Sequence, residues 1–400
     1  MNNETTNNLI LYNAMKRTTI KMSMIALLAV ATIGFTACKR ETDTTVEDTA
    51  AQAVNEQFVN HTVVPTYTAL ASKAELLADQ LAALKQNPTD AGVRQACATF
   101  LEAREQWEMS EAFLFGAAGD FGIDPHIDSW PLDENAFSTL MNSPAMIEAL
   151  DDEEGDVVAG ERLGNALLGF HAIEYILFAN GQPKAAASIS ANEWIYAVAV
   201  AGDLRNRCYQ LEVGWMGENA PASHIKKLDD LELAYTVAGS DNSYGDNMKN
   251  AGKAGSTYSS RLAALMAMVQ GCIDIADEVG TSKIASAFRQ SDITYIESPY
   301  SHMSITDFHN NIISIRNVYM GGIEGQRNES YSLHNFVKER DAALDAEVID
   351  AIQNALNKID AMPAPFVLHY SEPANGVAVE ACTELSEELD KVTDLIKRYE

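Results

Sequence analysis

Apolar residues recur three and four positions apart along most of this 400-residue chain, which is the period of an amphipathic α-helix. Residues 116–133 are rich in Gly, Asp and Pro and predict an ordered loop. No segment alternates convincingly between apolar and polar positions, so we expect an all-α fold with two helical bundles, residues 51–220 and 221–400. Helices are predicted over residues 51–86 (one or two helices), 90–115, 156–180, 191–213, 224–237, 258–280, 305–320, 344–359 and 377–399.

Two polar residues interrupt the apolar face of the helix predicted over residues 156–180. Spacings of three and four place four side chains on one stripe: Leu167, His171, Glu174 and Phe178. An ionised carboxylate buried on such a stripe costs several kcal/mol unless it is paired or binds a metal. Gly169 costs the helix about 1 kcal/mol relative to alanine, which indicates close approach of another element. Glu174 therefore needs a partner from elsewhere in the chain.

The first 50 residues have the organisation of an export signal rather than of a folded domain. A signal peptide is predicted over residues 1–37, with Met15 as its true start and an apolar run too short to span a bilayer as a mature helix. Cys38 follows small residues, as in a bacterial lipobox, and is the predicted lipidation site. Residues 38–50 are polar and predict a flexible tether. The alternative is an ordinary cleaved signal in which the cysteine stands by chance.

The net charge of −29 excludes nucleic acid and an anionic membrane surface as direct ligands. It suits the binding of cations, although a solvated acidic surface explains the same charge. Beyond Cys38, the wide spacing of the cysteines matches no zinc pattern. An exported protein permits disulfides among them, but burial as thiols in the core is the equal alternative for Cys97, Cys208, Cys272 and Cys382.

Two further segments carry residues suited to binding. The first places four side chains at helical spacings: Arg104, Trp107, Glu108 and Glu111. The second is the acid-rich turn of residues 124–131, which contains Asp128 and Trp130. Imidazole with carboxylates suits iron, zinc or manganese, and inter-helix sites in bundles are often built from them.

His171 and Glu174 alone supply two metal ligands, and the nearest supplements are Glu108, Glu111 and Asp128. The same residues fit a different arrangement, in which Arg104 forms a buried ion pair with Glu174 and His171 is hydrogen-bonded in the core. The residues by themselves leave both arrangements open.

In these segments the chain resembles the imelysin-like proteins, which are classed with the imelysin metallopeptidases. Residues 169–174 (GFHAIE) fit the G-x-H-x-x-E signature of the family. Residues 104–116 and 128–131 match in order, and so do residues 298–302, which include Ser301, together with 307–321. The matches extend over most of residues 55–370, and the lipoprotein leader is similar to those of Bacteroidetes members.

The resemblance implies a two-domain helical fold with the histidine–glutamate motif near the domain interface. It also implies an extracytoplasmic protein associated with iron uptake. Relatives in ferrous-iron uptake bind metal through a similar H-x-x-E motif, whereas the peptidase name comes from a founding member reported to cleave insulin. In this chain Tyr175 stands four positions after His171, so the H-E-x-x-H helix of zinc proteases is missing.

Our leading hypothesis is a lipoprotein that is anchored in the outer membrane and binds an iron or zinc ion or a metal-bearing ligand, with no nucleic acid among its partners. His171 and Glu174 would bind the metal, Glu108, Glu111 and Asp128 would add oxygens, and the site would be shaped by Arg104, Trp107, Trp130, Gly169 and Ser301. Its expected partners include membrane proteins of iron uptake. The alternatives are a metallopeptidase with Glu111 or Glu174 as its base, and a cleft that recognises a protein or glycan without metal.

Overall fold

The computed structural model describes residues 44–400, and helices make up most of its regular structure. The strands in this part of the chain are a two-residue antiparallel pair, Phe178–Ala179 with Gln182–Pro183. The all-α prediction is therefore confirmed. The α-helices, numbered in chain order, are α1 Thr44–Phe58, α2 Val64–Gln86, α3 Asp90–Glu108, α4 Ala117–Asp120, α5 Ile123–Ile127, α6 Glu134–Met141, α7 Pro144–Leu150, α8 Gly155–Arg162, α9 Gly169–Leu177, α10 Ala191–Met216, α11 Ala222–Asp230, α12 Tyr244–Lys249, α13 Arg261–Glu278, α14 Ala285–Gln290, α15 Ser304–Tyr319, α16 Leu333–Lys338, α17 Ala342–Asp360, α18 Phe366–His369 and α19 Pro373–Ile396.

Long helices from the two halves of the chain form two packed groups. In the first half α2 packs against both α3 and α10, while in the second half α19 packs against α13 and α17, and α15 contacts the same two helices. Helix α15 also contacts α3, so the two groups meet along these helices. The described residues, 44–400, belong to one compact unit, and α1 packs on α13. The predicted boundary near residue 220 stays a prediction.

Several helix boundaries follow from local sequence signals. Asn87 ends α2, and the Thr89 side chain accepts a hydrogen bond from the Gly92 amide at the start of α3. Ser190 and Glu193 form a capping box at the start of the 26-residue helix α10. A π-helical turn, Val59–Val63, joins α1 to α2, so the pattern predicted as one or two helices over residues 51–86 belongs to two helices with a continuous helical connection.

The predicted helix over residues 156–180 is wrong as a single element. Helix α8 ends at Arg162, a 3₁₀ turn covers Asn165–Leu167, and α9 begins at Gly169 and ends at Leu177. Only the histidine and the glutamate of the predicted stripe lie on α9, since Leu167 precedes this helix and Phe178 follows it. The break arises because Gly169 adopts a φ of +71°, which an uninterrupted helix does not permit.

Two other predictions need correction around residue 110. Helix α3 ends at Glu108 rather than at residue 115, and the Ser110 hydroxyl donates to the Trp107 carbonyl where the chain turns. Glu111 therefore lies in a separate 3₁₀ turn, Glu111–Phe113. The loop predicted over residues 116–133 contains the short helices α4 and α5.

The cysteines of the described region are all buried thiols without a disulfide: Cys97, Cys208, Cys272 and Cys382. The predicted signal peptide, Cys38 and residues 38–43 of the predicted tether lie outside the described residues. The remaining tether residues, 44–50, belong to helix α1. None of the helices that are described is long and apolar enough to cross a membrane.

Replacement of Gly169 tests whether its close approach to the Ile127 carbonyl positions α9. A Cβ atom there would lie 1.8 Å from the Ile127 carbonyl oxygen, on backbone with a φ of +71°. We expect Gly169→Ala to lower the free energy of unfolding by about 3 kcal/mol or more, because both the clash and the left-handed backbone are unfavourable. Urea denaturation followed by circular dichroism measures this loss.

Gly164→Ala is the matched control, since Gly164 has a φ of −74° and no atom within 4 Å of an added Cβ. It should change stability by less than about 0.5 kcal/mol. Equal effects of the two substitutions would show that the contact between Gly169 and Ile127 does not hold α9 in place.

Candidate metal centre

The guanidinium of Arg104, near the end of α3, is the point on which the site converges. Its side chain is 2% exposed. Most of the carboxylates that surround it come from distant parts of the chain. It lies over the Phe170 ring, 5.3 Å from the centroid. Four carboxylates pair with it: Glu108 one helical turn away, Asp128 after α5, Glu297 at 2.6 Å, and Asp307 of α15 at 3.8 Å. One buried cation thus joins segments from both halves of the chain.

Asp128 connects this cation to the histidine. Its Oδ1 atom pairs with Arg104 and lies 3.2 Å from Nε2 of His171, while Oδ2 accepts a 2.8 Å hydrogen bond from the Trp107 indole. Burial raises the pKa of Asp128, but the charges of Arg104 and His171 outweigh it and hold the pKa below its usual value. Asp128 is therefore an anion at neutral pH.

Glu174 is held from the opposite side by the segment that precedes α15. Its Oε1 atom accepts hydrogen bonds from the Ser301 amide and hydroxyl, both at 2.7 Å, and from the Tyr300 amide at 3.1 Å. Its Oε2 atom lies 3.2 Å from Nδ1 of His171. These contacts supply the partner that the sequence required for Glu174. They differ from the expected alternative, because Arg104 pairs with other carboxylates and not with Glu174 in the described structure.

The contact with Glu174 also sets the direction of the imidazole. A carboxylate accepts hydrogen bonds, so Nδ1 of His171 donates to it and Nε2 is directed towards Asp128. Nε2 is buried and makes no hydrogen bond of good geometry among the described residues. The Trp130 ring covers the imidazole, with 4.8 Å between the ring centroids. Carboxylates orient metal-binding histidines in this way through the nitrogen that does not bind.

Acidic groups outnumber basic ones around His171 and Arg104. The nearby basic side chain is Lys283, whose ammonium lies 3.2 Å from Glu297. A cavity of about 420 Å³ opens next to it and is lined partly by Trp130 and Tyr295. The carboxyl groups of the cluster and of the cavity wall are those of Glu108, Glu111, Asp124, Asp128, Glu174, Glu278, Glu297 and Asp307.

Burial forces several of these carboxyl groups to hold protons near neutral pH. It raises the pKa of Glu108 to about 7, although Arg104 and Lys283 oppose the effect. Burial, with the nearby charge of Asp128, raises the pKa of Asp124 to about 6. Burial likewise raises the pKa of Glu111 well above its usual value. A bound cation would replace such protons.

The spacing of the ligand atoms fits a metal ion. Among the described residues, three sets of three side chains bring a ligand atom from each residue within 4.8 Å of the others. One set is Asp128, His171 and Glu297; the second is Glu108, Glu111 and Asp128; the third is Glu108, Glu297 and Asp307. The predicted ligands Glu108, Glu111, Asp128 and His171 therefore lie together, whereas Glu174 contacts the cluster through His171.

The sequence of residues 63–392 matches the model of the imelysin peptidase family. This match covers most of the chain. The chain belongs to the imelysin family. The family predicted from the GFHAIE segment and its companions is thereby confirmed.

Two proteins to which the chain is similar carry iron-related names. Iron-regulated protein A of Synechococcus elongatus is 27% identical over 326 residues, which cover 80% of this chain and 79% of that protein. The crystal structure of a candidate iron-regulated protein A precursor from Parabacteroides distasonis superposes with a TM-score of 0.74 and 27% identity, covering 87% of this chain and 95% of the other.

A more distant structure supports the fold alone. An imelysin-like protein from Psychrobacter arcticum has a TM-score of 0.57 and 14% identity, with 88% of this chain and 94% of that chain covered. The helical architecture of this imelysin-family chain is therefore shared across relatives of low sequence identity.

Sequence reasoning missed three members of the cluster: Lys283, Glu297 and Asp307. Glu297 lies 193 residues from Arg104, and no helical period connects positions so far apart. The family resemblance included residues 298–302 and Asp307, so it could have pointed to Asp307 and to the segment next to Glu297. Ser301, which was expected to shape the site, donates twice to Glu174.

The raised pKa values predict how stability depends on pH. Burial lowers the pKa of His171, but the nearby carboxylates of Asp128 and Glu174 outweigh burial and raise this pKa from 6.5 to about 9. The pKa of Glu108 likewise rises from 4.5 to about 7. The folded state then binds more protons than the unfolded state, so chelator-treated protein should lose stability as pH rises from about 5 to about 9. Urea denaturation across this range measures the loss.

The variant Glu108→Gln separates the contribution of Glu108 to the pH dependence of stability from that of His171. The variant should lose less stability between about pH 5 and pH 7 than the wild type, because the titrating carboxyl group is gone. Its decline between about pH 7 and pH 9 should remain, since His171 still titrates there. A stability that rises with pH over the whole range would contradict the assigned protonation of this cluster.

Proposed function

We propose that this imelysin-family protein is exported and binds a metal ion, or a metal-bearing ligand, during iron acquisition. The observation that carries the proposal is the buried Nε2 atom of His171, which Glu174 directs into a surplus of carboxylates. The iron-related names of the Synechococcus and Parabacteroides relatives support the choice of metal.

The ligands would come from two adjoining sets of side chains. His171, Asp128 and Glu297 form the set with an imidazole, while Glu108 and Glu111 add oxygens on the other side of Asp128. One nitrogen with several hard oxygens suits iron or zinc better than copper(I). Glu174 would act through the imidazole that it orients, rather than as a ligand.

Protonation offers a physical reason for cation binding here. The cluster keeps more carboxyl groups buried than Arg104 and Lys283 neutralise, and protons occupy the remainder. A divalent cation would displace those protons and neutralise the negative charge of the carboxylates that bind it. Binding should therefore release protons and strengthen as pH rises.

Export and anchoring belong to the same proposal. The predicted signal peptide and Cys38 would hold the protein on the outer membrane by a lipid, exposed to the periplasm or the surface. Capture of metal outside the cytoplasm then implies transfer to membrane proteins of iron uptake, which are the proposed partners.

Two other functions have weaker support from the geometry. A peptidase would need a free carboxylate base, but both oxygens of Glu174 are engaged by His171, Tyr300 and Ser301. Glu111 lies on the cavity wall, but burial raises its pKa well above the usual value, so it holds a proton near neutral pH. A recognition cleft built on an Arg104–Glu174 pair loses its basis, because Arg104 pairs with Asp128 and Glu297 instead.

Metal titration of chelator-treated protein tests the proposal. We expect the wild type to bind zinc(II), and iron(II) without oxygen, while Asp128→Asn binds at least about tenfold more weakly because a shared ligand is lost. Glu174→Gln should weaken binding about 10- to 100-fold, since the orienting acceptor is altered. Isothermal titration calorimetry measures these affinities.

Glu153→Gln is a control for the loss of one negative charge, because Glu153 is exposed and outside the cluster. It should bind like the wild type. Negligible binding heat for both metals in the wild type, or equal affinities in all variants, would exclude the proposed centre.

A further inference from the structure

A second basic side chain besides Arg104, that of Lys283, contacts carboxylates that would bind the metal. The Lys283 ammonium lies 3.2 Å from Oε2 of Glu297, 3.8 Å from Oε2 of Glu108 and 4.0 Å from Oε1 of Glu111. Each of these carboxylates belongs to a set with metal-ligand spacing. An ammonium ion and a metal ion therefore compete for the same acceptors.

Lys283 is held less tightly than the other cation of the cluster. Its ammonium donates a 3.3 Å hydrogen bond to Glu297 and lies 3.8 Å from Glu108 and 4.0 Å from Glu111. All three distances exceed the 2.7–2.9 Å that is usual for charge-assisted hydrogen bonds. Arg104 pairs closely with three carboxylates and packs over an aromatic ring. Removal of Arg104 would break the cluster, but removal of Lys283 leaves it connected.

The Lys283 side chain borders the cavity, so its ammonium group has space to move away from the carboxylates. It lines the cavity of about 420 Å³, and its side chain is 11% exposed while those of Arg104 and Glu108 are 2% and 0% exposed. It lies in the π-helical turn Val279–Ile284, an irregularity that often marks functional positions in helices. A lysine has an unbranched four-carbon stem, so its charge can swing into the cavity without movement of the backbone.

We propose that Lys283 is an internal counter-ion that occupies the cavity side of the centre in the metal-free protein and is displaced by the incoming metal. This inference rests on the proposed metal binding. A divalent ion gains by the replacement because it brings one charge more than the ammonium, whereas a monovalent ion brings no gain. Lys283 thus sets the affinity of the site and favours multivalent ions, and its return to the carboxylates would assist release.

Two measurements with zinc(II) test the displacement. In the first, acetic anhydride labels the lysines of wild-type protein with and without zinc, and mass spectrometry quantifies each site. Labelling of Lys283 should rise on zinc binding because its ammonium leaves the cluster, while labelling of the exposed Lys226 should not change. In the second, calorimetry compares zinc affinity in K283M and wild type.

We expect K283M to bind zinc about tenfold more tightly, because a competing charge is lost from the ligand oxygens. K226M is the matched control, with the same substitution on an exposed helix, and should bind like the wild type. If zinc binds to the wild type but Lys283 labelling is unchanged or falls, displacement is wrong and the metal centre stands. If neither wild type nor K283M binds zinc, both proposals fail. If K283M does not fold, the labelling result decides alone.

Discussion

The buried guanidinium of Arg104 is the interaction on which the rest of this centre depends. A single planar cation pairs with carboxylates from α3, from the turn after α5 and from the segment before α15. Such a cluster stays in the interior only because each charge has a partner, since removal of one member of a buried pair costs about 3–5 kcal/mol. The same charges that hold the two helix groups together also leave a surplus of carboxylates beside His171.

The close approach at Gly169 places the histidine relative to this network. Because a side chain at residue 169 would collide with the Ile127 carbonyl, a glycine is needed for α9 to begin directly beside Asp128. His171 then lies between Asp128 and Glu174, with one ring nitrogen directed at each. The close backbone contact at Gly169 thus fixes where the His171 imidazole lies, and the proposed metal binding depends on that position.

Sequence patterns predicted the elements of the fold better than the geometry of the centre. Helical periodicity identified the long helices such as Ala342–Asp360, because a continuous amphipathic face is a local property. It failed over residues 156–180, where a tertiary contact at Gly169 breaks an otherwise helical pattern. It also merged Glu111 into α3, although the chain turns at Ser110.

The candidate site was partly predictable for a related reason. Four residues were selected from short local patterns: Arg104, Glu108 and His171 from charged or polar positions at helical spacings, and Asp128 from an acid-rich turn. Glu297 and Lys283 were not predicted, because their contacts with the cluster form only when distant segments of the chain meet in the fold. Glu174 was singled out as an unusual residue from the sequence, but its partners Tyr300 and Ser301 and its contact with His171 appear only in the fold.

A crystal structure of iron-loaded protein, with diffraction recorded at the iron absorption edge, tests the central claim most directly. The account predicts one strong anomalous peak within bonding distance of Nε2 of His171 and of oxygens from Asp128 and Glu297, with Glu174 still hydrogen-bonded to Ser301. A peak elsewhere on the surface, or an unchanged Arg104 network with no peak beside His171, would contradict it.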